Sequence, residues 1–521
     1  MTSTVDAISL EVFKHLFTSV AEDMGGTLQR SSFSPNIKER LDFSCAMFDA
    51  AGRMVAQAAH IPVHLGSMPA SVKAAIDNFP SLQQGDVIIL NDPYRGGTHL
   101  PDITMVSPVF MDNERVFFVA SRAHHADIGG MSPGSLPLST ELYQEGVIIP
   151  PIKLMDSGVK NDAVLALITA NSRTPQERLG DLDAQLAAQH VGSQRIQSMI
   201  DQYGLETVNA HSDALQDYAH QMTTAIIRNI PDGTYHYQDF LESQEGEQLK
   251  IACTLTVDGE TITVDFSDSA PQTKGNLNAV PAIVESATMY CIQLLAKDDV
   301  PTNHGSFQPI TVITKSGTIL NPQFPAAVAV GNTETSQRIV DVVLGALAQA
   351  LPEKIPAASQ GSMNNFTFGG MYQGKPFVYY ETIGGGHGAS PTHHGMSGRH
   401  SHMTNTLNTP IESLEMVLPV RVTAYHLRDG TGGKGQYHGG NGIRRVYEFL
   451  APATVTFNTE RRKLAPYGLN QGTSGASGKN MIIRADGTKE TIPAKYTTQV
   501  YTGDRVVIET PSGGGWGKPI S

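Results

Sequence analysis

Two groupings of histidine and carboxylate stand one strand apart in this chain. The stretch "GGTHLPDITM" (96–105) carries His99 and Asp102, and "SRAHHADIGG" (121–130) carries His124, His125 and Asp127. Pro101 has no N–H and holds Leu100 extended, so His99 and Asp102 are not an i, i+3 pair on one helix face. They are placed on a turn that enters a strand over 102–110. A second strand, 115–122, returns antiparallel around "MDNE" (111–114) and delivers His124 beside Asp102, because a hairpin brings strand-start and strand-end residues together. Nitrogen and carboxylate donors meeting this way suit Mn²⁺, Zn²⁺ or Fe²⁺. The bland alternative is that these residues cap and close the hairpin. H-x-x-D is a short pattern, and spacing by itself leaves both readings open.

Five histidines (His387, His393, His394, His400, His402) and Arg399 fall in "IGGGHGASPTHHGMSGRHSHMTNT" (383–406). Its Gly, Ser and Thr content predicts neither helix nor strand. Such a segment is either a surface loop or a binding loop packed against a partner. If it binds, Arg399 offers the planar fork suited to phosphate and His402 or His400 a proton donor, placing the loop near the first grouping. In "AVGNTETSQRIVD" (329–341), Asn332, Thr333, Glu334 and Thr335 precede a helix; they read as N-caps or as an anion-binding helix start.

Three apparent motifs fail on chemistry. "GMSPG" (130–134) matches GxSxG, but the residue after Ser132 is Pro133, which cannot give the oxyanion hole its N–H. In "GTSGASGKN" (472–480) the glycines are wrongly spaced for a P-loop, and Asn480 stands where the Mg²⁺-binding hydroxyl belongs. "GTGGKG" (430–435) reads as a bare Gly-rich turn. No ATP site of the P-loop type is expected.

The elements that would position these residues are partly legible. Apolar residues from Phe13 to Leu28 at helical spacing predict one amphipathic helix, ended or kinked at Gly25–Gly26. Strands are expected at 45–50 and 86–91, helices in two or three pieces over 174–229, and further helices at 282–296 and 336–351. "KIACTLTVDGETITVDF" (250–266) predicts a hairpin with a type I′ turn at Asp258–Gly259. The fold class is α+β: mixed and antiparallel sheets, a helical middle segment and a Gly-rich β/loop C-terminal part. Three regions are drawn: an α+β metal-binding region (1–230), a β-rich region with a helix (231–330) and a Gly-rich α+β region (331–521).

The 521 residues suffice for a well-buried core, and at roughly 100–200 residues per domain they allow several domains. The net charge of −13, with no Lys/Arg cluster beyond "ERRK" (460–463), argues against nucleic-acid binding. Three widely separated cysteines form neither a metal knuckle nor a disulfide framework, which fits a reducing cytoplasm. Charges at Asp6, Glu11, Lys14, Glu22 and Asp23 interrupt any leader-type apolar run, and no membrane-spanning stretch is expected.

Long segments resemble the hydantoinase B/oxoprolinase family: 33–68, 85–110 and 122–135, extended by "GNTETSQRIVDVVLGAL" (331–347), "HSHMTNTLNTPIESLE" (400–415) and "TPSGGGWG" (510–517). The resemblance implies a divalent metal, Zn or Mn, held by His99, Asp102 and His124 together with Asp42 of "ERLDFS". His125 and Asp127 become candidates to steady the metal-binding histidines or move protons. It also implies an A-type partner with an actin-like ATP fold, most simply in an (αβ)₂ assembly, with ATP and Mg²⁺ bound there. The implied activity is ATP-dependent opening of a cyclic amide such as hydantoin, N-methylhydantoin, 5-oxoproline or caprolactam. The partner would phosphorylate the amide oxygen, and the metal would lower the pKa of a water toward ~7 to supply the nucleophile. Distant relatives of the same family make the α-type subunit of an ATP-dependent ketone carboxylase a second reading, and a scaffold subunit without catalysis a third.

Overall fold

A seven-stranded antiparallel sheet carries the first histidine–carboxylate grouping. Its strands are β1 (Phe43–Asp49), β2 (Met54–Ala59), β3 (Val87–Leu90), β4 (Asp102–Met111), β5 (Glu114–His124), β6 (Ile152–Asp156) and β7 (Val159–Lys160), in the order β2-β1-β5-β4-β3-β6-β7. They belong to a computed structural model that describes residues 5–59, 61–297 and 299–519. Both faces of this sheet are covered, so alternate side chains of one strand enter different cores. Cys45, Met47 and Val119 pack under the helices Ala7–Ser31 and Pro175–Tyr203, while Ala46, Phe48 and Phe118 pack against the helix Met68–Asn78.

The β4–β5 hairpin forms as expected, with Asp102 opposite His124 and Met111 opposite Glu114, and a one-residue register shift between them at Val109/Phe110. Its turn residues, Asp112 and Asn113, take φ of 48° and 65°, the paired positive angles of a type I′ turn. The other hairpin differs from expectation. Thr261 pairs with Asp258, so the turn residues are Gly259 and Glu260, and of these only Gly259 is left-handed (φ 58°). A single positive φ at the first position is the II′ signature, with glycine supplying it.

The first helix corrects a second expectation. It runs unbroken from Ala7 to Ser31 through Gly25 and Gly26. Met24 and Leu28 are fully buried against the Pro175–Tyr203 helix, where a Cβ at Gly192 would lie 2.4 Å from Met24 Sδ. This close packing outweighs the cost of about 1 kcal/mol that each helical glycine carries.

A second sheet, β8 (Gly233–Glu242), β9 (Gln248–Asp258), β10 (Thr261–Asp265) and β11 (Ile310–Ile313), lies in the order β11-β10-β9-β8, with β10 and β11 parallel. The helix Ser336–Ala350 packs on it through Val340, Val343 and Leu347. Two further antiparallel sheets share an aromatic core that includes Phe366, Phe368, Tyr447, Phe449 and Phe457. The α+β class is thus realised by four sheets. The largest core cluster draws on all three sequence regions, through residues such as Ile103, Ile251 and Val343. No helix among the described residues is long and apolar enough to cross a membrane, and Cys45, Cys253 and Cys291 are buried thiols.

The Gly-rich C-terminal segments pack main chain against main chain. Gly440 N–H donates to His387 O, Gly513 N–H to Gly440 O, Gly433 N–H to Gly513 O, and Gly439 N–H to Gly433 O, each at 2.9 Å. A Cβ at Gly513 would lie 1.8 Å from His387 O, so no other residue allows this approach.

Candidate metal centre

The β4–β5 register places Asp102 and His124 across from each other, and β1 brings up the third strand end. Phe43 pairs with Ala123, and His124 N–H donates to Asp42 O at 3.0 Å. His99 reaches the same point from the "GGTHLPD" turn. The outcome is a buried His–Asp–His cluster: His99, Asp102 and His124 each offer a ligand atom within 4.8 Å of the others. Asp102 Oδ1 lies 3.0 Å from His99 Nε2 and 3.1 Å from His124 Nδ1.

The donor set fits a divalent cation on the structure's own terms. His99 Nδ1 lies 2.8 Å from Ala329 O, an acceptor, so Nδ1 must carry its hydrogen. The neutral ring then turns the Nε2 lone pair toward a carboxylate oxygen, an arrangement that calls for a cation between them. Without an ion, a proton on Nε2 can take its place. Burial pulls His99 down, but the charge and hydrogen bond of Asp102 outweigh it and leave the ring raised. Burial pushes Asp102 up, but His99, His124 and His64 outweigh it and hold the carboxyl well below its usual range. Burial lowers His124. An N, O, N set with imidazole and carboxylate donors suits Zn²⁺ or Mn²⁺.

Asp42 lines the same small pocket as Asp102 and His124, together with His64, Asn332, Tyr380 and a row of threonines. Its Oδ2 lies 4.0 Å from Arg40 Nη2. His125 and Asp127 engage the helical side of the sheet. Arg178 donates to His125 Nδ1, and His125 Nε2 lies 2.9 Å from Gln185 Oε1. Burial, then the Arg178 charge, lowers His125 to about 3 and keeps it neutral. Asp127 accepts from Arg173 N at 2.6 Å and Arg173 Nη1 at 2.9 Å, and so anchors the start of the Pro175–Tyr203 helix.

The segment 383–406 has no helix or strand, and the two ends of its arch are joined by a bridge between Gly385 and Arg399. Arg399 is exposed. His402 takes φ of 54° and packs edge-on to Tyr290, and burial lowers it to about 3. Burial, followed by the Arg40 charge, lowers His400 to about 4. The far end of the segment reaches the metal pocket, whose wall includes Thr404 and Thr406.

Several residues at the centre were not singled out for it in the sequence. His64 Nε2 lies 3.4 Å from Asp102 Oδ2, with its Nδ1 2.9 Å from Ser44 Oγ. Thr98 Oγ1 donates to Asp102 Oδ2 at 3.1 Å. The His124 ring stacks on Tyr380, centroids 4.7 Å apart. Asn332 does not cap a helix: it sits in a π-helical turn, Gly331–Thr335, without a side-chain capping bond. Its Nδ2 lies 3.0 Å from Asp102 Oδ2 and 2.9 Å from His99 Nε2. A π turn is often a functional feature, but it is visible only in the structure; the sequence offered no signal beyond four polar residues ahead of a helix.

The family model "Hydantoinase B/oxoprolinase" matches residues 6–519. The chain is 39% identical to 5-oxoprolinase 1 of Arabidopsis thaliana over 99% of its own length, but spans only 42% of that protein. It is 33% identical to the B chain of a D-/L-hydantoinase of Pseudomonas sp., covering 99% of this chain and 90% of that one. The structure of the ATP-dependent caprolactamase from Pseudomonas jessenii superposes with a TM-score of 0.93 at 29% identity, covering 99% of this chain and 92% of that one.

Proposed function

This chain belongs to the hydantoinase B/oxoprolinase family, and we propose that it is the metal-bearing subunit of an ATP-dependent cyclic-amide hydrolase. The substrate is a hydantoin, 5-oxoproline or another lactam such as caprolactam. An A-type subunit, most simply in an (αβ)₂ assembly in the cytoplasm, holds ATP and Mg²⁺ and activates the amide. The likeness to a hydantoinase B chain supports a separate partner chain, and the likeness to a longer 5-oxoprolinase supports the same partner fused. The observation that carries the reading is the buried His99–Asp102–His124 cluster, in which a carbonyl-locked imidazole faces a carboxylate.

His99, Asp102 and His124 would hold the divalent ion, with Asp42 from the adjoining strand end as a fourth donor. The ion would supply Lewis acidity to a carbonyl oxygen and acidify a water at neutral pH. The chain's own groups do the rest. Thr98, His64 and Asn332 fix the orientation of the Asp102 carboxylate, and the Ala329 carbonyl fixes the His99 tautomer. Tyr380, whose phenol is tied to Asn365 Oδ1 at 2.9 Å, covers His124 and keeps bulk water out. In the intermediate, Arg399 and His402 bind phosphate, and His125 and Asp127 steady the strand end that carries His124.

The test is reconstitution. The chain and an A-type subunit, mixed with Zn²⁺ or Mn²⁺, ATP and a panel of cyclic amides, are assayed for ring-opened product. Product should require both chains and ATP. Ring opening by this chain without a partner, or bicarbonate fixation onto a ketone in place of hydrolysis, would sink the proposal.

A further inference from the structure

The pocket against Asp102 and His124 has a free volume of about 20 Å³. That is room for about one water and far too little for a lactam ring. Two polar atoms of its lining residues have no protein partner: Asn332 Oδ1 and His124 Nε2. Both residues are buried, at 4% and 3% exposure. A buried acceptor without a donor is costly and is explained by what it is meant to bind.

The orientation of the Asn332 amide is settled by its neighbours. Nδ2 lies between Asp102 Oδ2 and His99 Nε2. The first is a carboxylate oxygen. It only accepts, so the amide nitrogen lies on that side and Oδ1 is left as the free acceptor. The backbone beneath is equally fixed. Ser336 Oγ donates to Asn332 O at 2.7 Å, and a Cβ at Gly331 would lie 1.9 Å from Asn278 O.

We infer that this pocket seats the hydrolytic water and that Asn332 orients it. This rests on the hydrolytic reading of the site. Oδ1 accepts one O–H of the water and so turns an oxygen lone pair toward the carbon of the amide that the ATP-bearing partner activates. The water oxygen bonds to that carbon, and the C–N bond breaks with its electron pair on nitrogen. The nitrogen gains the protons that originate from the water and leaves as the amine, the activated carbon is left as an acyl phosphate, and a second water then releases inorganic phosphate and the open-chain amino carboxylate. A neutral amide takes no proton in this step. It aligns the nucleophile, as a glutamine does for the attacking water of GTPases.

Three measurements test this. A crystal structure of the metal-loaded wild-type chain, at a resolution that shows ordered water, should place one within hydrogen-bond distance of Asn332 Oδ1. Asn332→Ala and the milder Asn332→Ser also lose the Nδ2 contact to Asp102 and should bind Zn²⁺ more weakly, so both are assayed at a Zn²⁺ concentration that restores full occupancy by elemental analysis. Assembled with the A-type subunit, they should lose about 100-fold in kcat with KM unchanged. A wild-type pocket without that water, or a kcat that returns to the wild-type value once metal occupancy is restored, would each overturn the inference, the second by showing that Asn332 acts only as a support of the metal. If the wild-type complex opens no cyclic amide, the hydrolytic reading fails by itself, and the position of the water still decides the inference. Asn332→Ser serves where the alanine variant does not fold.

Discussion

Asp102 faces His124 directly across the β4–β5 ladder, and its Oδ1 is shared between two imidazoles, 3.1 Å from His124 Nδ1 and 3.0 Å from His99 Nε2. The type I′ turn at Asp112–Asn113 and the one-residue register shift at Val109/Phe110 together set this pairing; the turn alone would put Asp102 opposite Ala123. A slip of one residue would carry His124 to the opposite face of the sheet and dissolve the cluster.

Metal content follows from that sharing. The wild-type chain, purified without chelator, should carry about one Zn²⁺ or Mn²⁺ per chain by elemental analysis. Asp102→Asn and His124→Ala should carry almost none. EDTA should lower the thermal midpoint of the wild type and leave both variants unmoved, because the ion binds the folded state. Stoichiometric metal in Asp102→Asn would refute this ligand set.

Glu145 should act on the metal at a distance. Its Oε1 accepts from Val328 N and Ala329 N at 2.9 Å each, and Ala329 O holds the His99 tautomer. Glu145→Ala is expected to weaken Zn²⁺ binding by about 10–100-fold in chelator competition. Glu145→Gln keeps an acceptor oxygen for both N–H groups and should recover most of the loss. Equal affinities in all three proteins would show that the Ala329 peptide needs no such anchor.

A pH dependence comes from Glu334. Burial, and after it the charge on Glu460, pushes its carboxyl up to about 8. Oε1 accepts from Met363 N and Asn365 Nδ2, while Oε2 has no partner. The folded chain therefore holds a proton that the unfolded chain releases near its ordinary 4.5. Stability from this group is full below 4.5 and falls, by at most about 1.4 kcal/mol per pH unit, until it levels above about 8. Glu334→Gln mimics the protonated acid. Subtracting its denaturation profile from that of the wild type should isolate this slope. A flat difference between pH 5 and 8, a window bounded by about the two pKa values, would show the carboxylate to be ionised throughout.

Alanine at Arg399 and at His402 separates a binding arch from a surface loop. His402, lowered to about 3, is neutral at physiological pH, so Arg399 brings the charge to any anion at this arch. If the arch holds a phosphorylated intermediate, Arg399→Ala and His402→Ala should lose ring opening by about 100-fold in the assembled enzyme with metal content intact. Rates near wild type in both would confine the chemistry to the His99–Asp102–His124 cluster.

What could be read in advance was local. The hairpin depends on a four-residue turn and alternating apolar residues, so His124 could be placed beside Asp102 from the chain alone; the register shift at Val109/Phe110 that sets them directly opposite could not. His64 and Asn332 could not: they come from sequence positions 38 residues before Asp102 and 230 beyond it, and only the packing of the second sheet brings Asn332 to the site. The Gly25–Gly26 break failed for the same reason, since a distant helix supplied the packing that the local sequence lacks. His125 and Asp127 share a motif with His124 but alternate off its face, toward Gln185 and Arg173.

The glycine-on-glycine packing near the C-terminus has a consequence for how this chain will look in solution. Its hydrogen bonds join segments that are neither helix nor sheet, so circular dichroism will count them as coil. Yet the amides of Gly433, Gly439, Gly440 and Gly513 are each bound to a carbonyl, and Gly513, Gly514 and Gly515 are buried. In hydrogen–deuterium exchange these peptides should exchange as slowly as the central strands, and so behave as part of the folding core that spectroscopy assigns to loops.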